Sequence, residues 1–196
     1  MKFPLEMNFK ITALAPQIRI SDADGKLIFY VKQKLFKLKE AVTVYADEAQ
    51  TQILFTISAD RVIDFNARYN FADAAGTPLG SVGRKGMRSI LKAHYDVFEG
   101  GEAAPGISIQ EENVAVRLAD GCINQIPIVG LFAGYFLNPS YLAARTDGAG
   151  VMRLSKLPAF LEGKFKIERL MEIDDLEEQR LILAIMMMTL LERVRG

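Results

Sequence analysis

The last part of the chain reads Asp175-Leu-Glu-Glu-Gln-Arg-Leu-Ile-Leu-Ala-Ile-Met-Met-Met-Thr-Leu-Leu-Glu-Arg-Val194, and this segment decides the fold class. Acidic residues crowd its start and Arg193 lies near its end, an arrangement that complements the helix macrodipole and predicts a helix over residues 175–194. From Leu181 to Leu191 only Thr189 is polar, so the helix has no polar face and must be buried on all sides. A β-sheet wrapped around the helix would bury it in this way.

The preceding part of the chain has the pattern of an antiparallel β meander. Between Gln17 and Phe98, β-branched and aromatic runs alternate with turn sequences. Three turns recur about 25 residues apart: Asp22-Ala-Asp-Gly25, Asp47-Glu-Ala-Gln50 and Asp73-Ala-Ala-Gly76. Asp can bond its own backbone and Gly accepts a positive φ, so both residues suit tight turns. The repeated two-strand period predicts a sandwich or barrel rather than a parallel α/β sheet.

The β pattern continues beyond a strong loop signal at Glu99-Gly-Gly-Glu-Ala-Ala-Pro-Gly106. Residues 141–172 again have a strand-like pattern, whereas residues 111–121 fit a helix or a strand equally. The loop does not divide the chain, because the β part is needed to cover the C-terminal helix. We therefore predict one domain over residues 1–196.

Composition excludes several classes of protein. Of the 196 residues, 50% are hydrophobic and 24% are charged, which excludes a disordered tail or a disulfide-stapled miniprotein. The 24 basic and 24 acidic residues cancel, which argues against a dedicated nucleic-acid binder. The single cysteine, Cys122, allows no internal disulfide and fits a reducing compartment. The two most apolar segments, 126–137 and 181–191, hold about a dozen residues each, too few for a transmembrane helix of about 20.

Three stretches resemble the Tubby C-terminal-like superfamily, which includes the LURP-one-related proteins and the phospholipid scramblases. They are Asp24-Gly-Lys-Leu-Ile-Phe-Tyr-Val-Lys-Gln-Lys34, Ala75-Gly-Thr-Pro-Leu-Gly-Ser-Val-Gly-Arg-Lys85 and Ala93-His-Tyr-Asp-Val-Phe98. The resemblance implies a closed antiparallel β-barrel of about twelve strands around the C-terminal helix, with an insertion over residues 107–145. It also implies a non-enzymatic role linked to membrane tethering or lipid movement.

Basic residues concentrate in two segments. Resemblance to the superfamily suggests that they bind anionic lipid head groups, and a base near an anionic surface gains about 1 kcal/mol. The alternative is a charged strand edge that prevents aggregation. The candidate residues are Lys32, Lys34, Lys37, Lys39, Arg84, Lys85 and Arg88.

The apolar segment Ile126–Leu137 contains Pro127, Gly130 and Gly134, which argue against a long helix. If it lies outside the barrel, it forms an apolar patch of the kind that contacts a membrane or a partner. The alternative is a hairpin packed over one barrel end. The candidate contact residues are Ile128, Leu131, Phe132, Tyr135 and Phe136.

No motif in the sequence indicates enzymatic or metal chemistry. His94 is the only histidine, and it has neither a nucleophile motif to serve nor a ligand spacing with Cys122. Asp22 and Asp24 begin like a calcium loop, but Lys26 and Gln33 occupy ligand positions. We therefore predict no catalytic residues, no metal and no cofactor.

We expect a non-enzymatic scaffold or membrane-associated module in the cytoplasm, peripheral at the inner membrane face, that binds anionic phospholipid. One alternative is a small-ligand carrier, or an enzyme, with its site at a barrel mouth. Another is a protein-interaction module that forms a homo-oligomer. Nucleic acid is not an expected partner.

Overall fold

A computed structural model of the chain describes residues 1–10, 15–32, 41–61, 67–84, 93–112, 139–159 and 163–195, with side chains to residue 192 in the last range. These residues form twelve strands and one helix. The strands are β1 (Leu5–Lys10), β2 (Gln17–Ser21), β3 (Leu27–Lys32), β4 (Ala41–Tyr45), β5 (Ile53–Ala59), β6 (Arg68–Asp73), β7 (Pro78–Arg84), β8 (His94–Phe98), β9 (Ile107–Glu111), β10 (Ser140–Arg145), β11 (Gly150–Leu157) and β12 (Gly163–Arg169). The helix is α1 (Asp175–Arg195).

The strands form a closed antiparallel barrel. Each strand pairs with its neighbours along the chain, and β1 also pairs with β12, from Leu5 opposite Ile167 to Phe9 opposite Gly163. Closure removes the free edges that an open sheet would expose to other chains. The predicted fold class, a mainly β closed barrel of about twelve strands with a C-terminal helix, is confirmed.

The helix α1 fills the barrel. Every residue from Leu181 to Met188 is at most 1% exposed, because alternate residues of the strands point inward and cover it from all sides. The polar Thr189 is accommodated since its hydroxyl donates a hydrogen bond to the Ile185 carbonyl oxygen at 2.8 Å. The helix begins where the Glu177 N–H donates to the Asp174 carboxylate at 2.8 Å, an N-cap interaction.

The two ends of the barrel differ. Consecutive strands are antiparallel, so odd-numbered strands finish at one end and even-numbered strands at the other. The end where even-numbered strands finish is the turn end, and α1 begins there. The opposite end, the mouth end, receives the last turns of α1, whose Met188 and Glu192 lie beside Tyr141 and Phe165.

The three predicted turns are confirmed at the turn end. Carboxylate oxygens of Asp22, Asp47 and Asp73 accept backbone N–H groups two to five residues later, at 2.8–3.1 Å. Gly25 and Gly76 have φ values of +78° and +86°, which side-chain-bearing residues rarely adopt. These tight turns set the register of the hairpins they connect.

The ends of the predicted insertion belong to the barrel. Residues 107–111 and 140–145 are β9 and β10, which pair with each other from Glu111 opposite Tyr141 to Ile107 opposite Arg145. Both strands are needed because β9 continues the sheet from β8 and β10 continues it to β11. Only residues between β9 and β10 remain for an insertion, and residues 113–138 lie outside the described part of the chain.

Replacing Ile185 by Asp should prevent cooperative folding, because an unpaired buried charge costs several kcal/mol and Ile185 is 1% exposed. Thermal unfolding followed by circular dichroism measures the effect. The matched control is Leu176→Asp, the same substitution in the exposed first turn of α1, which should unfold near the wild-type temperature. An Ile185→Asp protein that unfolds cooperatively would contradict the central role of α1.

The free energy of unfolding should also decrease at acidic pH. The Thr51 N–H lowers the pKa of the Asp47 carboxyl below 3.8, and the Thr77 N–H does the same for Asp73. Since the folded pKa values are depressed, this stabilisation is present above pH 3.8 and is lost as the pH falls below it. Urea unfolding between pH 2.5 and 7 should show a weaker acid dependence for the Asp47→Asn, Asp73→Asn double variant, whose amides still accept the turn hydrogen bonds. An unchanged dependence would contradict this origin.

Candidate functional site

Polar side chains gather inside the mouth end of the barrel. Strand alternation turns Arg84 of β7 and Tyr95 of β8 inward, and these residues lie opposite each other. On the neighbouring wall, Tyr141 of β10 and Lys156 of β11 lie on the inner face beside α1. The helix supplies Glu192, one turn after Met188, and its carboxylate reaches Tyr95 and Arg84.

The Glu192 carboxylate links the end of α1 to the barrel wall. The Tyr95 hydroxyl donates a hydrogen bond to Glu192 Oε1 at 2.5 Å, and Arg84 Nη2 lies 3.7 Å from the same oxygen. The Arg84 guanidinium also lies 5.9 Å from the centre of the Tyr95 ring. A carboxylate in the last turn of a helix is unfavourable to the macrodipole. The Tyr95 and Arg84 contacts offset that cost and hold the helix end in place.

Tyr95 and Tyr141 are hydrogen-bond donors rather than bases. Burial, together with the hydrogen bond to Glu192, raises the pKa of the Tyr95 hydroxyl far above its usual value of 10. Burial also raises the pKa of Tyr141 to about 12, with smaller contributions from Glu111 and Glu192. Each phenol is therefore protonated at physiological pH and offers its hydrogen to an acceptor.

A pocket of about 330 Å³ lies between the last turns of α1 and the wall formed by β10, β11 and β12. Its polar side chains are Tyr141, Lys156, Thr189 and Glu192, and its apolar wall includes Leu154 and Phe165. The complete lining among described residues is Pro139, Tyr141, Leu154, Lys156, Phe165, Met188, Thr189 and Glu192. Such a combination of an apolar wall with few polar groups is typical of small-molecule sites.

The turn end contains a different set of contacts, which fix the start of α1. Arg169 Nη1 lies 2.9 Å from the buried Glu178 carboxylate, and the Arg180 Nε–H donates to the Leu79 carbonyl oxygen at 2.7 Å. Gly80 has a φ of +135°, and a Cβ there would collide with the Phe98 carbonyl oxygen and the Arg180 side chain. Because these groups already interact with one another, we assign them a role in stabilising the fold rather than in binding a ligand.

The structure places two of the predicted head-group residues. Lys32 is exposed at the end of β3, whereas Arg84 faces inward with a side chain only 11% exposed, next to Glu192. The other five predicted basic residues and all five predicted apolar contact residues lie outside the described part of the chain. These are Lys34, Lys37, Lys39, Lys85, Arg88, Ile128, Leu131, Phe132, Tyr135 and Phe136.

The segments that contain these residues start and finish at one end of the barrel. Lys32 ends β3, Arg84 ends β7, and Glu112 and Pro139 flank the connection from β9 to β10. Since β3, β7 and β9 are odd-numbered, all of them finish at the mouth end. The connections that contain both predicted sets of residues therefore begin and finish at the same end of the barrel as the pocket.

No motif in the sequence marks Tyr95, Tyr141, Lys156 or Glu192 as functional residues. Alternation in β11 puts Lys156 on the same face as Met152 and Leu154, and the i, i+4 spacing puts Glu192 on the face of Met188. These two patterns identify Lys156 and Glu192 as polar residues on otherwise apolar faces. They do not show that the four residues lie close together in the folded chain.

His94 begins β8, and its Nε2 atom lies 3.5 Å from Asp96 Oδ1, with the imidazole 22% exposed. Within the described ranges, no group of three or more His, Cys, Asp and Glu residues is placed to hold a metal ion. No helix among the described residues is both long and apolar enough to cross a bilayer.

Comparison with known proteins identifies the family to which this chain belongs. The family model described as LURP-one-related matches residues 10–124. The chain belongs to the LURP-one-related family. This membership confirms the resemblance to the Tubby C-terminal-like superfamily, and the match contains all three motifs on which it was based. The pocket of this LURP-one-related barrel is lined by residues beyond the matched range.

A crystal structure of an Arabidopsis thaliana protein is similar to this LURP-one-related chain, with 15% identity and a TM-score of 0.49. The similarity covers 93% of this chain and 89% of that one. No curated protein sequence matches.

Replacing Tyr95 by Phe should lower the free energy of unfolding by about 1.5–3 kcal/mol, because a hydrogen bond to a charged group is lost. Urea unfolding measures the change. Glu192→Gln should cost less, since the amide oxygen still accepts from Tyr95. The control is Tyr45→Phe, a half-buried tyrosine at the turn end of β4. A Tyr95→Phe protein as stable as wild type would contradict the role of this contact.

Proposed function

We propose that this LURP-one-related barrel is a non-enzymatic module that binds anionic phospholipid surfaces with its mouth end towards the membrane. The observation that carries the proposal is a separation of charge between the two ends of the barrel. A net charge of zero would otherwise give no attraction to an anionic surface.

The connections at the turn end are strongly acidic. Together they contain nine acidic residues and one base, Lys26. They are residues 22–26, 46–52, 74–77, 99–106, 146–149 and 170–174. An anionic bilayer would repel this end.

The connections that join the strands at the mouth end contain eight basic and six acidic residues. Six of the eight bases belong to residues 33–40 and 85–93, where Glu40 is the single acid. Lys32, exposed at the end of β3, adds to them. Opposite charges at opposite ends favour one orientation of the barrel on an anionic surface, even though the whole molecule is neutral.

The residues in the proposal differ from the sequence prediction at one position. Arg84 contacts Tyr95 and Glu192 inside the mouth, so its charge supports the helix rather than a head group. The apolar residues predicted between 126 and 137 remain part of the proposal, because their connection joins β9 and β10 at this end. The basic residues that remain are Lys32, Lys34, Lys37, Lys39, Lys85 and Arg88.

The proposal places the protein in the cytoplasm at the inner membrane face. The cytoplasmic leaflet contains most of the anionic lipid and has a negative surface potential. The single cysteine fits a reducing compartment as well. Each base near such a surface contributes about 1 kcal/mol, so six bases suffice for reversible association.

Co-flotation with vesicles tests the proposal. The Lys34→Ala, Lys85→Ala variant should bind vesicles with 30% phosphatidylserine roughly 25-fold more weakly than wild type, from about 1 kcal/mol per base. The matched control is Lys2→Ala, Lys26→Ala, which changes net charge equally but at the turn end. This control should bind like wild type.

Neutral phosphatidylcholine vesicles and high salt should both abolish the electrostatic binding, because the surface charge is absent or screened. Equal losses in the two double variants would refute the orientation. Absence of wild-type binding to anionic vesicles at low salt would refute the proposal itself.

A further inference from the structure

We infer that the mouth pocket binds one single-chain anionic amphiphile, of the class of a fatty acid, with its anionic group at Lys156. Binding there needs no membrane, so this site is separate from the proposed surface contact. Among the described residues, its lining comes from Pro139, β10, β11, β12 and α1 and does not include Lys32.

Lys156 provides the anchor for the anionic group. It lies opposite Phe165 on the inner face of the barrel, where an ammonium group is costly unless it is paired. It is half-buried, and among the described residues its ammonium makes no ion pair. An anion in the pocket would supply the missing partner.

The acidic side chains near the pocket do not take that role. Glu192 already accepts the Tyr95 hydroxyl at 2.5 Å and lies 3.7 Å from the Arg84 guanidinium, so Arg84 compensates the charge of its carboxylate. Glu111, opposite Tyr141, is exposed, where solvent screens its charge. Among the described residues that line the pocket, the charge without an ion-pair partner is therefore the positive charge of Lys156.

Tyr141 supplies a second contact for an anionic group. Its side chain belongs to a residue that lines the same pocket, and its hydroxyl makes no hydrogen bond to a described residue. Because burial raises its pKa to about 12, the phenol remains a donor at neutral pH. A carboxylate or phosphate oxygen accepts hydrogen bonds from both an ammonium and a phenol.

The remaining wall suits an apolar chain. Leu154, Phe165 and Met188 form it, and the flexible thioether of Met188 adapts to the shape of its contacts. The volume of about 330 Å³ is at the lower end of ligand sites, which span about 300–1,000 Å³. It fits one chain better than the two chains of a phospholipid. The anionic group and the single chain thus define the ligand class.

A single fluorescent reporter can test the site, because the chain contains no tryptophan. Phe165→Trp places an indole on the pocket wall. Sodium dodecanoate, added below its micelle concentration, should give a saturable emission shift, with dodecyltrimethylammonium binding at least tenfold more weakly. Acetate should give no shift. Equal affinity for the cation, a shift with acetate, or no saturable shift with dodecanoate would overturn the inference.

A charge-neutral variant in the same reporter background identifies the anchor. Lys156→Met should weaken dodecanoate binding at least tenfold and leave dodecanol binding unchanged. The matched control is Lys164→Met, because Lys164 lies on the outer face of β12, opposite Leu157 and 3.6 Å from Glu6. Equal losses in the two variants would overturn the assignment of Lys156.

Isothermal titration of wild-type protein with dodecanoate removes any effect of the indole, and one site per chain is expected. Absence of binding there would overturn the inference even if the reporter responds. Lys156→Met should float with anionic vesicles like wild type, so failure of the pocket and failure of the proposed surface contact give different results. A matching loss of vesicle binding would show that the pocket is not a separate site.

Discussion

Burial of a helix without a polar face is the constraint on which the rest of the structure depends. Leu181 to Met188 cannot face water on any side, so the sheet must surround them, and twelve antiparallel strands close to do so. Closure satisfies a second requirement at once, because it removes the exposed strand edges of an open sheet. The helix is therefore the core of the barrel rather than an appendage to it.

Enclosure of the helix gives the two ends of the barrel different properties. At the turn end, Asp carboxylates close short turns and Glu178 pairs with Arg169 beside the start of α1. At the mouth end, the strands are joined by longer and more basic connections, and the last turn of α1 places Glu192 among inward-facing polar residues. The turn end thus maintains the fold, and both proposed functions belong to the mouth end.

The sequence predicted features that depend on near neighbours. The turn at Asp73 needs only a carboxylate and a glycine three residues later, and the burial of α1 follows from a run of apolar residues. The sequence does not show that residues 107–111 and 140–145 are paired strands of the barrel, because β9 and β10 are short and their pairing is visible only in the assembled sheet. Nor does the sequence show that Arg84 faces inward, since the direction of a side chain at a strand end depends on the register of the strand.

By itself the sequence determined the β meander, the buried helix and the membership of the LURP-one-related family, because periodicity, turn chemistry and short motifs are local properties of the chain. Only the tertiary structure decided which polar residues meet. Tyr95 and Glu192 are 97 positions apart, and closure of the barrel brings them together. The same closure places Lys156 beside the helix end and separates acidic from basic connections, since antiparallel strands send alternate connections to opposite ends.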